Sequence, residues 1–299
     1  MRIGYLGPEG TFSQAAALRA PAAADCELVA IETIHDTVLA VRDGRVERAV
    51  VPIENSVEGS VNTTLDALVF DAPDVRIIGE TILPVQQCLI AQGPLPLSDV
   101  EVVISHPQAN AQCRRFIAEH LSQARVMTSS STAEAVRLVS ERIRHRWTAI
   151  GTRLAAEFYG ATVLAAGIED VPGNQTRFVW LARGGPDESL SGPLGPPGYV
   201  AGDADPWKTA IVFWGSGTDS AGWLVRCLSE LAFRGVNMNR IESRPRRDGL
   251  GSYMFFIDID GRADDPTVAE ALGGLRAGAG DLRTLGSFPA AVAPAPGAA

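Results

Sequence analysis

Four polar stretches in this chain follow short apolar runs, and each offers groups that hold or polarise an anion. YLGPEGTFS, Tyr5 to Ser13, sets two glycines and a proline before Thr11, Phe12 and Ser13. A loop placed after a strand and before a helix presents free N–H groups and a helix dipole to an anion. The same residues also suit a tight turn with Thr11 or Ser13 as a helix cap. Neither GK[ST] nor GxGxxG is present, so nucleotide machinery is missing and the anion expected is a carboxylate.

VPIENSVEGSVNTTLDAL ends an apolar run at Ile53 and then crowds Glu54, Asn55, Ser56, Glu58 and Ser60 into a loop. Asn55 and Ser56 fall just past the strand end, where a cleft would open; plain turn chemistry accounts for the same composition. ISHPQANAQC repeats the arrangement, with Ser105 at a strand end and Gln112 one turn into a helix. GNQTRFVWL starts a strand with Thr176 and Arg177. Arg177 either grips a carboxylate with its planar fork or closes a surface salt bridge.

Hydroxyls, amides, N–H groups and one arginine suit chemistry done by positioning and electrostatics on a substrate already inclined to react. No GxSxG occurs and no cysteine is marked as a nucleophile. His35, His106, His120 and His145 do not stand at ligand spacings, so neither a metal nor a cofactor is expected.

The rest of the chain must position these loops. Its 299 residues carry a net charge of -9, which argues against nucleic acid or an anionic membrane as partner. Cys26, Cys88, Cys113 and Cys227 include no CxxC and read as reduced thiols in a cytoplasmic protein. No signal peptide is read at the start, and no apolar run approaches the ~18 residues of a membrane span.

Up to residue 183 strands and helices alternate, which predicts an α/β fold with mainly parallel sheets covered on both faces. VRIIGETILPVQQCLIAQ reads as a crossing into a second lobe, and TRFVWLAR as the return. One lobe then spans about 1–83 plus 171–183 and the other about 84–170, with a ligand cleft between them. Residues 184–206 are rich in Gly and Pro and read as a linker. A βαββαβ unit of ferredoxin-like order follows over 207–290, then an Ala/Pro tail, 291–299, expected to be disordered.

Together YLGPEGTFS, VPIENSVEG, ISHPQANAQC, STAEAV and GNQTRF, in this order, resemble prephenate dehydratase. NMNRIESRP resembles its C-terminal ACT regulatory domain, and the resemblance covers about residues 3–290. It implies a two-lobed catalytic domain like a periplasmic binding protein, and conversion of prephenate to phenylpyruvate on the route to phenylalanine. It also implies a homodimer or homotetramer under feedback by an aromatic amino acid, L-phenylalanine foremost. By resemblance Thr176 is the hydroxyl on the leaving group, and one of Glu54 and Glu58 is either a proton source or a loop-ordering group. Asn55, Ser56, Ser105, Gln112, Arg177 and Thr11 would bind substrate. Gly222, Trp223, Leu224, Asn237, Glu242, Ser243, Arg244 and Pro245 would receive the effector. Trp223 stands where the family has alanine: it reshapes the effector pocket for another aromatic amino acid, weakens feedback, or turns into the helix–sheet core. Two rival readings remain: arogenate as substrate, and a two-lobed sensor that binds without turnover.

Overall fold

The computed structural model describes residues 1–141, 145–184, 194–200, 202, 205–215 and 220–291. The first apolar run forms β1 (Arg2–Leu6), followed by α1 (Phe12–Leu18), β2 (Glu27–Ile31), α2 (Ile34–Arg42) and β3 (Arg48–Asn55). A short return, β4 (Gly59–Ser60), pairs with the end of β3, and α3 (Asn62–Asp66) leads to β5 (Val75–Pro84). The second lobe contains β6 (Cys88–Ala91), β7 (Val102–Ser105), α4 (Pro107–Gln112), α5 (Arg114–His120) and β8 (Arg125–Thr128). It continues through α6 (Thr132–Ser140), β9 (Trp147–Gly151), α7 (Arg153–Phe158) and β10 (Thr162–Ala166), before β11 (Gln175–Arg183) rejoins the first sheet.

The sheet orders are β2-β1-β3-β11-β5 and β10-β6-β9-β7-β8. Neither is mainly parallel, which corrects the expectation. β1 pairs in parallel with β2 and β3, but β11 runs antiparallel to both β3 and β5. The physical reason is the crossing. Strands β1 and β3 run toward the second lobe, whereas β11 arrives from it and must run the other way. The second sheet is mixed likewise, with β6 antiparallel to both of its neighbours.

Strand-to-helix junctions end in Ser or Thr caps: the hydroxyls of Thr11, Thr33, Ser131 and Thr152 each accept a first-turn N–H. This chemistry starts the helices and also leaves polar side chains at the strand ends. The helix expected from Pro107 onward breaks at Cys113, whose φ of -117° leaves the helical region. Asp170 supports the break, because its carboxylate accepts the freed Arg115 N–H and its own N–H bonds Gln112 O at 2.6 Å.

The C-terminal unit runs β12 (Trp207–Trp214), α8 (Trp223–Ala232), β13 (Met238–Pro245), β14 (Tyr253–Asp260), α9 (Pro266–Ala279) and β15 (Asp281–Pro289). Its antiparallel order β13-β14-β12-β15 is ferredoxin-like. Helices α8 and α9 cover one face through Phe213, Trp223, Leu231 and Leu275. The other face does not meet solvent: Val212, Met254, Phe256 and Phe288 share one core with Val38, Leu65, Leu68 and Ile77 of the first lobe. Burying each such side chain contributes roughly 1.5–3 kcal/mol, so the two units are fastened together. The approach is close enough that a Cβ at Gly286 would lie 1.9 Å from Ile77 O.

Part of the expected linker is packed rather than free. Leu194 joins a first-lobe core, and Pro197 O accepts from Ala22 N at 3.0 Å. Linker residues 185–193, 201, 203 and 204, and tail residues 292–299, lie outside the described residues.

Candidate active site

A cavity of about 370 Å³ lies between the two lobes. The first lobe lines it with Gly7, Thr11 and Ser13 after β1, Asn55 at the end of β3, and Thr176 and Phe178 on β11. The second lobe adds Gln87, His106, Gln112 and the Ser130–Thr132 turn. Hydrogen bonds close the lobes on each other, among them Tyr159 Oη to Glu9 O at 3.4 Å. Thr152 Oγ1 donates to Gly10 O at 2.5 Å, and Gln112 Nε2 donates to Glu58 Oε1 at 3.2 Å. Gly10 has a φ of +84°, and a Cβ there would sit 2.7 Å from Ala155 Cα, so only glycine permits this approach.

Thr176 and Asn55 occupy the same rung of the β11–β3 ladder. Asn55 Nδ2 donates to Thr176 Oγ1 at 2.9 Å and also reaches Asn174 Oδ1. Asn55 Oδ1 accepts the N–H groups of Val57 and Glu58, both at 3.0 Å. Asn55 therefore ties the 55–59 turn to the strand carrying Thr176. Because the Thr176 oxygen accepts here, its own proton is left to donate into the cleft.

The expected site residues divide. Thr11, Asn55, Gln112 and Thr176 line the cleft, and Glu58 stands at its rim, bonded to Gln112. Thr11 caps α1 and donates to Leu6 O. Ser56 is exposed, and its hydroxyl is spent on the segment entering β11, donating to Asn174 Oδ1 and accepting from Gln175 N. Ser105 does not reach the cleft. It is fully buried and donates to Ile150 O at 2.6 Å, bracing the second sheet.

Arg177 is the main correction. Successive strand side chains point to opposite faces. With Thr176 toward the cleft, Arg177 points behind it, and its guanidinium is bound to Glu80 at 2.6 Å and Asp258 at 2.5 Å. Burial works against its charge, but Asp258 and Glu80 outweigh that and hold it protonated. It grips protein carboxylates, not a substrate, and the ion pair is buried rather than superficial.

The expected effector set is also split. Trp223 turns into the helix–sheet core, where its indole tilts against Phe213 and Phe255 and donates to Gly278 O at 3.1 Å. It fills helix–sheet space, not an open pocket. Glu242 accepts from Ser60, and Arg244 binds Asp66, so both face the first lobe. Asn237, Ser243 and Pro245 are exposed, Gly222 caps α8 at a φ of +75°, and Leu224 is half-buried against the same core.

Several lining residues were not singled out in the sequence. Gln87 sits in an extended run with no motif around it, and its Nε2 lies 3.4 Å from Gln112 Oε1. Asn174 is buried behind Asn55; it stands in the GNQTRF loop, whose polar residues were the available signal. Among the described lining residues none is Lys or Arg, and His106 is the one basic residue type. An anion entering this cleft would meet hydroxyls and side-chain amides. Burial raises the Cys88 and Cys113 thiols, the latter to about 12, so neither supplies a thiolate. Among the described residues no cluster of His, Cys, Asp and Glu could hold a metal, and no helix is long and apolar enough to cross a membrane.

Fold and site together define a two-lobed α/β protein with an interlobe cleft of mixed apolar and uncharged polar lining, and a ferredoxin-like unit seated on one lobe. The family model described as prephenate dehydratase matches residues 3–186. The prephenate dehydratase of Amycolatopsis methanolica is 39% identical over 287 residues, covering 96% of this chain and 88% of the relative. The solved prephenate dehydratase of Arthrobacter aurescens in complex with L-Phe is 38% identical, with a TM-score of 0.83, over 98% of this chain and 94% of that one. A solved protein described as a novel type of quorum quenching acylase, GqqA, is 30% identical, with a TM-score of 0.80, over 97% and 98%. The chain belongs to the prephenate dehydratase family.

Proposed function

We propose that the cleft converts prephenate to phenylpyruvate, and that Thr176 is the group acting on the leaving hydroxyl. The bond from the ring to its carboxylate breaks, and CO2 leaves. That electron pair completes the aromatic ring as the ring C–O bond breaks, and the departing hydroxide takes one proton to become water. Aromatisation drives the step, so the protein must orient the dianion and stabilise the leaving oxygen. The observation that carries this reading is the Asn55–Thr176 hydrogen bond, which directs the Thr176 proton away from Asn55. Thr176 polarises the leaving oxygen and relays a proton from water. Glu58 holds Gln112 across the cleft mouth. The same bond speaks against Thr176 as an acylase nucleophile, which would need a neighbouring base. The partner here is a donor.

Purified protein incubated with prephenate at neutral pH, without metal or nucleotide, is expected to yield phenylpyruvate, identified by its aromatic enol in base. Unchanged prephenate, or a dihydro product, would overturn the assignment; arogenate in a parallel incubation separates the two substrates.

We further propose that the C-terminal unit is an ACT domain that pairs within a homodimer or homotetramer and receives L-phenylalanine. The ferredoxin-like order and the L-Phe complex of the Arthrobacter relative support this. Gly222, Leu224, Asn237, Ser243 and Pro245 are the residues left for that ligand. Calorimetry with phenylalanine, tyrosine and tryptophan is expected to show heat with phenylalanine; no heat with any of them rules out control through this unit.

A further inference from the structure

Both strands that carry the reacting pair are gripped from behind by the C-terminal sheet. On the rung next to Thr176 and Asn55, Arg177 pairs with Glu54. Arg177 Nη1 lies 2.5 Å from Asp258 on β14 and 3.4 Å from Glu54, while its Nε lies 2.6 Å from Glu80 on β5. Arg240 on β13 stands 3.8 Å from Glu54 and 3.7 Å from Asp258. The Asp258 and Glu80 carboxylates are almost wholly buried.

A second grip lies at the hairpin. Ser60 pairs with Glu54 across β3 and β4, one rung beyond the Asn55–Gly59 pair. Its hydroxyl donates to Glu242 at 2.8 Å and accepts from Arg240 at 3.0 Å. The turn closed by this rung holds Ser56 and Glu58, and Asn55 binds its N–H groups. The residues that reach inward, Arg240 and Glu242, alternate along β13 with the exposed Ile241 and Ser243.

We infer that Asp258, through Arg177, and Glu242 with Arg240, through Ser60, are positioning residues that hold Thr176 against Asn55. Neither touches the cleft. Each fixes the strand behind a group that does, so the C-terminal sheet sets the geometry of the reacting hydroxyl. A displacement of about 1 Å in such a group can cost up to a hundredfold in rate. The inference rests on the reading of Thr176 given above.

The test compares wild type, Asp258→Asn and Ser60→Ala, with kcat normalised to the folded fraction seen by circular dichroism. Asp258→Asn keeps shape and removes charge; Ser60→Ala removes one half-buried hydroxyl. Expected with prephenate is a kcat lowered about tenfold in Asp258→Asn and about threefold in Ser60→Ala, with KM within about twofold, as for lost transition-state alignment. Hydrogen exchange is expected to quicken in peptides 53–61 and 174–180 and to stay unchanged at 102–112. A purely structural role would leave normalised kcat at the wild-type value, and that result overturns the inference. So does a raised KM at constant kcat, or unchanged exchange in both segments. Should the wild type leave prephenate untouched, the substrate assignment fails and the exchange result alone decides the positioning role.

Discussion

Thr176→Ala is expected to lower kcat by about a hundredfold or more, as loss of one transition-state donor does elsewhere. The expectation follows from what the hydroxyl is committed to. Its oxygen accepts from Asn55 at 2.9 Å, so its proton is the one the cleft receives from this strand. A donor that strengthens as charge builds on the leaving oxygen stabilises the transition state more than bound substrate. The variant should therefore lose kcat and kcat/KM together. The fold is expected to survive, since the backbone ladders to β3 and β5 on either side of Thr176 set its register. Thr176→Ser keeps the hydroxyl and should retain most of the activity. Steady-state kinetics on the folded alanine variant decide the matter: a kcat near wild type would remove Thr176 from the chemistry.

Much of this site was legible in the sequence because strand ends and caps are written locally. Thr11 and Asn55 stand in short polar loops after apolar runs, and the structure brings both to the cleft. What one loop could not show was which way a side chain turns. Thr176 and Arg177 are consecutive in a strand, and alternation forbids both from facing one cleft. Ser105 illustrates the opposite limit: it ends a strand as expected, yet its hydroxyl is drawn to Ile150 O on the neighbouring strand. That partner is 45 residues away and left no local mark. The seat of the C-terminal sheet on the first lobe was hidden for the same reason. The alternation in YMFFIDID announces two faces without saying what covers the second. Asp258, a charge inside that pattern and buried in the fold, is the residue that meets a cation there.

That pairing leads to the second large effect. Arg177→Leu is expected to destabilise the folded chain by about 3–5 kcal/mol, the range for breaking a buried ion pair by removing one partner. Leucine leaves the Glu80 and Asp258 carboxylates buried with only part of their compensation. Lys208 still reaches Glu80 at 2.8 Å, and Arg240 stands 3.7 Å from Asp258. These remaining cations place the expectation at the lower end of the range. Arg177→Lys keeps a charge but loses the planar fork that spans two carboxylates, so it should cost less than leucine and more than a surface change. A substrate-binding arginine would behave differently: its replacement would raise KM and leave the urea midpoint nearly unmoved. Urea denaturation beside KM measurements therefore separates the two roles. An unshifted midpoint with a raised KM would return Arg177 to the cleft, against the direction in which β11 points it.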